Sequence, residues 1–172
     1  HRPLPARVGP AALAAGDALA VGSDAGLPPV ALGEQAAFDM PRADGEICLD
    51  VVLGPRTDWF DDATVQRFLA QDWTVTPQSS RVGILLSGEA LTREDARELP
   101  SEGTATGAIQ VPHSGQPVLF LADHPLTGGY PVIATLHPAA LDLAGQLPPG
   151  TRIRFAADAP FADIDPEASD VS

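Results

Sequence analysis

The sequence predicts a mainly β fold: an antiparallel barrel or closed sheet with one or two short helices. Three observations predict it. Short apolar or β-branched runs recur through the middle of the chain, at Ile47–Leu53, Trp73–Thr76, Val82–Leu86, Ala108–Val111, Pro117–Ala122, Val132–Leu136 and Thr151–Phe155. Turn residues punctuate them, with 18 Pro and 16 Gly in 172 residues. Helical signals are few and short.

Taken in order, residues 1–45 are rich in Pro, Ala and Gly and read as a linker or loosely packed edge, with Ala18–Val21 as a short strand candidate and Gly22–Pro29 turn-like. The barrel is expected over 46–156. Ile47–Leu53, bounded by Gly45 and Gly54-Pro55, reads as a buried strand, and Cys48 within it as a small buried hydrophobe. A helix follows, with Asp61 as N-cap and Phe60 placed to staple against Val65. Val65, Phe68 and Leu69 form its core stripe at i, i+3 and i+4. Pro77 ends the strand from Trp73. Gln78-Ser79-Ser80 turns the chain into Val82–Leu86, which Ser87-Gly88 closes. Leu91–Leu99 holds a short helical turn, where Thr92 and Asp95 have capping-box spacing.

Pro112-His113-Ser114-Gly115 between two apolar runs predicts a hairpin. Asp123–Pro131 is a loop of small, polar and glycine residues between rigid strands, the composition of a loop that approaches a ligand. Pro138–Gln146 is a short helix with Pro in its first turn. Leu147–Gly150 turns into the last strand. Residues 157–172 form an acidic tail, expected to be disordered because it has little apolar surface to bury.

The net charge of -13 argues against nucleic acid and anionic membrane, which would repel such a surface. All ten basic residues are Arg, so this chain supplies no lysine nucleophile and no lysine-bearing phosphate loop. One Cys excludes an internal disulfide. The four His residues do not fall at metal-ligand spacings, so no metal site is expected. No stretch approaches the ~20 apolar residues that cross a bilayer, and a cytoplasmic location is expected.

Ser101-Glu102-Gly103, Gly107-Ala108-Ile109-Gln110-Val111-Pro112, Gly115-Gln116-Pro117, Ala122-Asp123 and Thr127-Gly128-Gly129-Tyr130-Pro131 together resemble the allophanate hydrolase subunit 2 family. That family is also described as biotin-dependent carboxyltransferase subunits and as the C-type subunit of 5-oxoprolinase. The resemblance reaches back through Gly54-Pro55-Arg56, Asp58-Trp59-Phe60 and Ser80-Arg81-Val82-Gly83, covers about two-thirds of the chain and concerns the family's C-terminal half. The chain begins with His1 and not Met, so a fragment is expected, with the family's first lobe, encoded separately or removed, missing ahead of it.

The resemblance implies a cyclophilin-like β-barrel. It implies one component of an ATP-dependent amide hydrolase or carboxyltransferase acting on a small cyclic or ureido amide, with 5-oxoproline first and allophanate next. Activity would need a partner of the allophanate hydrolase subunit 1 type, or of the B type in 5-oxoprolinase. ATP would be used by the complex, and biotin could sit on a partner. The alternative class is a non-catalytic module that binds a partner subunit or a kinase inhibitor.

Seven residues are candidates for the site. Glu102 on a tight turn suits a general base or a group that polarises water; its bland reading is a solvated turn. Tyr130 offers a hydroxyl or an aromatic wall, and these two are the catalytic candidates. Arg81 suits a substrate carboxylate; its bland reading is an ion pair. Gln110, mid-strand in an apolar run, faces either outward or a polar cavity, where its amide would hold a ureido or lactam group. Thr127, Gly128 and Gly129 let a substrate approach backbone N–H groups. A Ser-His-Asp triad using Asp123 and His124 is disfavoured, because neighbours on a strand point to opposite faces. Ser80, Ile84 and Leu85 stand where the family commonly has Asn, Tyr and Arg, and Val132 where it often has Lys.

Overall fold

A computed structural model describes residues 13–20, 22–23, 39–54, 56–93 and 99–159. The chain forms two compact units, His1–Gln35 and Ala36–Ser172. In the first, the Ala14 amide donates to the Asp17 carboxylate at 2.7 Å, and the Asp17 amide donates back to the Ala14 carbonyl at 3.1 Å. Ala18–Ala20 form no strand, and Val21 lies outside the described residues.

The second unit contains β1 (Glu46–Leu53), α1 (Asp62–Ala70), β2 (Trp73–Val75), β3 (Gly83–Ser87), β4 (Glu102–Gly103), β5 (Ala108–Gln110), β6 (Val118–Phe120), β7 (Thr127–Gly128), β8 (Val132–Leu136), α2 (Leu141–Ala144) and β9 (Arg152–Ala159). Seven strands close a barrel in the order β1-β8-β5-β6-β3-β2-β9, so the expected closed, mainly β architecture is present. Every seam is antiparallel except β1 with β9, where Glu46 pairs with Arg152 and Leu49 with Phe155 in parallel. The count of strands requires this. Directions that alternate around a ring of seven must leave one adjacent pair alike.

Strand alternation builds the core. On β1, Leu49 and Val51 are fully buried, as are Ile153 and, nearly, Phe155 on β9. Cys48 lies on the opposite face and is exposed, which corrects the buried position expected for it. Cys48 and Asp50 are the outward half of a period of two, a face that the acid Asp50 marks within the run Ile47–Leu53.

Helix α1 starts at its expected N-cap, where Asp61 Oδ1 accepts from the Thr64 amide at 2.6 Å. Its Phe68 stacks on Phe155 with ring centroids 4.7 Å apart, and its carbonyl accepts from Trp73 Nε1 at 3.0 Å. Phe60 is buried, and Val65 and Leu69 pack on the same core. The β5–β6 hairpin forms as expected, with Ile109 opposite Leu119 and Gly115 at φ +72° in the turn. Pro138–Ala140 form a 3-10 turn leading into α2, and His137 Nδ1 caps it by accepting from the Ala139 amide at 3.3 Å.

The last strand, expected over Thr151–Phe155, runs to Ala159 because β1 offers it a partner along its whole length. Asp95 of the expected Thr92–Asp95 capping box and the rest of the acidic tail fall outside the described residues. No described helix is long and apolar enough to cross a membrane.

Candidate functional site

The loop expected to approach a ligand contains a strand of its own. Thr127–Gly128 pair with Glu102–Gly103 as a two-stranded ribbon outside the barrel, with Glu102 opposite Gly128 and Gly103 opposite Thr127. Two strands of two residues lie below what periodicity can detect.

The ribbon sits on Gln110. Ile109 points into the core, so Gln110 beside it points outward, yet it is only 4 % exposed. The cover is Gly128: a Cβ there would overlap the Gln110 amide, so only glycine lets the ribbon lie this close. Gln110 therefore supports the ribbon from beneath, which differs from the open, cavity-facing amide weighed from the sequence.

The second anchor is ionic. Arg56 Nε donates to Glu102 Oε2 at 3.1 Å, and Arg56 Nη2 donates to Glu102 Oε1. This two-pronged pair is half-buried and orients the carboxylate more strictly than a single contact would. The hydrogen-bonded Glu102 raises the Arg56 pKa above its ordinary value, against a smaller opposing effect of burial. Glu102 is thus a strand residue held by a cation from the loop after β1, not a free turn residue. Sequence reasoning passed over Arg56 as a site residue; it appears there only within Gly54-Pro55-Arg56, 46 residues from its partner.

Tyr130 follows the ribbon. Its ring meets His113 edge-on, with centroids 5.6 Å apart at 88°, and it lines a cleft of about 320 Å³ with Arg93, Leu99, His113 and Gly129. Thr127 and Gly129 are exposed along the same stretch. Glu102, Gln110, Thr127, Gly128, Gly129 and Tyr130 are therefore brought to one region.

Arg81 is not among them. Its Nε lies 3.3 Å from the Asp123 carboxylate, and its side chain is 84 % exposed. It lines two other clefts, of about 410 and 320 Å³, between α2 and the ends of β3 and β6, and neither contains a ribbon residue. The bland reading of Arg81, an ion pair, is the observed one.

Asp123 and His124 also diverge, but for a different reason than expected. They lie in a turn, not on a strand. Asp123 faces Arg81, while His124 Nδ1 sits 3.1 Å from Thr104 Oγ1. Among the described residues, no group of three or more His, Cys, Asp or Glu is placed to hold a metal ion.

A closed, mainly β barrel agrees with what the chain is similar to. Residues 3–157 match the model of the carboxyltransferase domain, subdomain A and B, and the chain belongs to that family. It is 41 % identical over 102 residues to the C-type subunit of 5-oxoprolinase from Escherichia coli, covering 59 % of this chain and 33 % of that protein. Urea amidolyase of Lachancea kluyveri is 32 % identical over 123 residues, covering 65 % of this chain and 7 % of that protein.

Among solved structures, the Kluyveromyces lactis urea carboxylase matches with TM-score 0.63 and 26 % identity, over 66 % of this chain and 11 % of that one. The protein TTHA0988 matches with TM-score 0.59 and 32 % identity, over 76 % and 24 %. The chain thus spans about a third of the 5-oxoprolinase component it resembles.

Proposed function

We propose that this chain is the barrel lobe of one component in an ATP-dependent complex that hydrolyses a small cyclic or ureido amide, with 5-oxoproline first and allophanate second. The observation that carries the reading is the β4–β7 ribbon. The stretch that carries the family resemblance folds over Gln110, locks Glu102 to Arg56 and presents Tyr130 at a cleft. In this reading Glu102 polarises the attacking water from a fixed position, the Tyr130 hydroxyl donates to the developing oxyanion or leaving nitrogen, and the backbone of Thr127, Gly128 and Gly129 borders the amide.

Nothing in the described residues forms a phosphate-binding loop. There is no lysine in the chain, and Arg56, Arg81, Arg152 and Arg154 are each already matched to a carboxylate. In this reading ATP is used by the complex, and no step on the described residues of this chain runs through it.

The test is 5-oxoproline-dependent ATP hydrolysis and glutamate release by the protein carrying this chain, mixed with its partner subunit. Stimulated turnover that falls at least about a hundredfold in Glu102→Gln and Tyr130→Phe, with the complex still formed, supports the reading. A stable complex with no turnover of 5-oxoproline or allophanate overturns it in favour of a binding module.

A further inference from the structure

Glu102 stands on a strand of two residues, and a ribbon this short has little stability of its own. Gln110 seats the facing residue, Gly128. The orientation of the Glu102 side chain depends on Arg56.

Arg56 stands on a rigid mount. It opens a 3-10 turn, Thr57–Trp59, whose Trp59 amide donates to the Arg56 carbonyl at 3.2 Å. Trp59 and Phe60 are buried and fix the far side of that turn. On the near side, the Thr57 amide and hydroxyl both donate to the Gly54 carbonyl, at 3.4 and 3.3 Å. The Gly54 amide donates to the Ile133 carbonyl of β8 at 2.7 Å. A Cβ on Gly54 would overlap the Val132 carbonyl and lie 3.1 Å from the Ala134 nitrogen, so glycine is what lets the loop lie directly on β8. Tyr130 and Pro131 lead straight into that strand. The Arg56 loop therefore ties Glu102 to the strand that Tyr130 enters.

The contact orients Glu102 without consuming it. An ionised carboxylate offers about four acceptor sites. Arg56 Nε and Nη2 take one on each oxygen, and one on each oxygen is left for water. The Glu102 side chain is 35 % exposed, so water reaches it. A two-pronged contact also fixes the plane of the carboxylate, which a point charge does not.

We propose that Arg56 is a positioning residue for the hydrolysis: seated on β8, it holds the Glu102 carboxylate at one angle to the Tyr130 segment. The assignment rests on the reading that Glu102 polarises the attacking water. Arg56 itself touches no reacting atom in it.

The test is steady-state turnover of 5-oxoproline by the protein carrying this chain, in complex with its partner subunit. Arg56→Ala lowers kcat about tenfold to a hundredfold and leaves KM within about twofold. Arg56→Lys, a single point charge, recovers part of the loss. Guanidinium ion added far below denaturing concentration recovers part of it in Arg56→Ala, which a lost fold would not permit. The double variant Arg56→Ala with Glu102→Gln is no slower than Glu102→Gln alone, because Arg56 acts through Glu102. A double variant slower by the full Arg56→Ala factor, a loss confined to KM, or full activity in Arg56→Lys overturns the assignment. So does a loss that guanidinium leaves unrestored in a complex that no longer forms, which makes Arg56 an anchor of the fold alone.

The same assay separates this proposal from the reading beneath it. Turnover by the parent complex that Arg56→Ala leaves intact sinks the positioning role alone. Absence of turnover in the parent complex sinks the hydrolase reading, and the role of Arg56 with it.

Discussion

Gly128→Ala tests the packing that creates the candidate site. The added Cβ would lie 3.0 Å from Gln110 Oε1 and 3.1 Å from its Cδ, and closer still to Nε2. Gln110 has no open space to retreat into at 4 % exposure. The ribbon must lift, or the amide must take a poor rotamer, and overpacking of this kind costs about 1–3 kcal/mol. Gly103, on the facing strand of the same ribbon, is the control: a Cβ there meets nothing within 4 Å. Gly103→Ala should stay within about 0.5 kcal/mol of the parent chain. Urea unfolding followed by Trp59 and Trp73 fluorescence measures both. In a Gln110→Ala background the obstacle is gone, so Gly128→Ala should then cost little, giving a coupling of about 1 kcal/mol or more. Equal midpoints for the two glycine variants, or a Gly128→Ala cost that survives in Gln110→Ala, refutes the argument that Gln110 and Gly128 define the ribbon's seat.

Two further outcomes follow from the barrel. The Thr64 hydrogen bonds, side chain first and then amide, hold the Asp61 carboxyl below its ordinary pKa. The cap's contribution is therefore full above the ordinary carboxylate value and fades as pH falls through the lowered one. Asp61→Ala should lower the urea midpoint at about pH 6 and by progressively less toward about pH 3; a deficit independent of pH argues against an ionised cap. Cys48, outward-facing and exposed, should react with one equivalent of a thiol reagent in the folded chain, and Cys48→Ser should change stability by less than about 0.5 kcal/mol. A thiol silent until unfolding would return Cys48 to the core.

The elements most legible in the sequence were those with a local cause. Asp61, Phe60 and the Val65–Phe68–Leu69 stripe announce a helix within one short window. Pro112 to Gly115 announces a hairpin because the turn residues and both strands lie close together in the chain. The family motif from Ser101 to Pro131 marks the region where the candidate residues gather. The ribbon was not legible, since each of its strands is two residues long and gains its identity only from the other, far along the chain. Cys48 was misread because its run was weighed by its apolar residues alone, although Asp50, two positions on, marks the outward face.

Which segments bury apolar surface, where the chain turns and which family it belongs to were all written in the residues, because propensity, caps, turns and motifs act over short stretches. How distant charges and donors meet was settled by closure of the fold. Arg56 could have paired with any of the 23 acidic residues, and Arg81 could have met a substrate or an acid. Closure of the barrel carries the loop after β1 to β4, β3 to the end of β6, and the Arg93 segment to the hairpin tip. Those pairings assign Glu102 to Arg56 and Arg81 to Asp123, and they leave Arg93 with a histidine. Coulombic and hydrogen-bond partners are set by distance in space, and a closed sheet sets that distance without regard to separation along the chain.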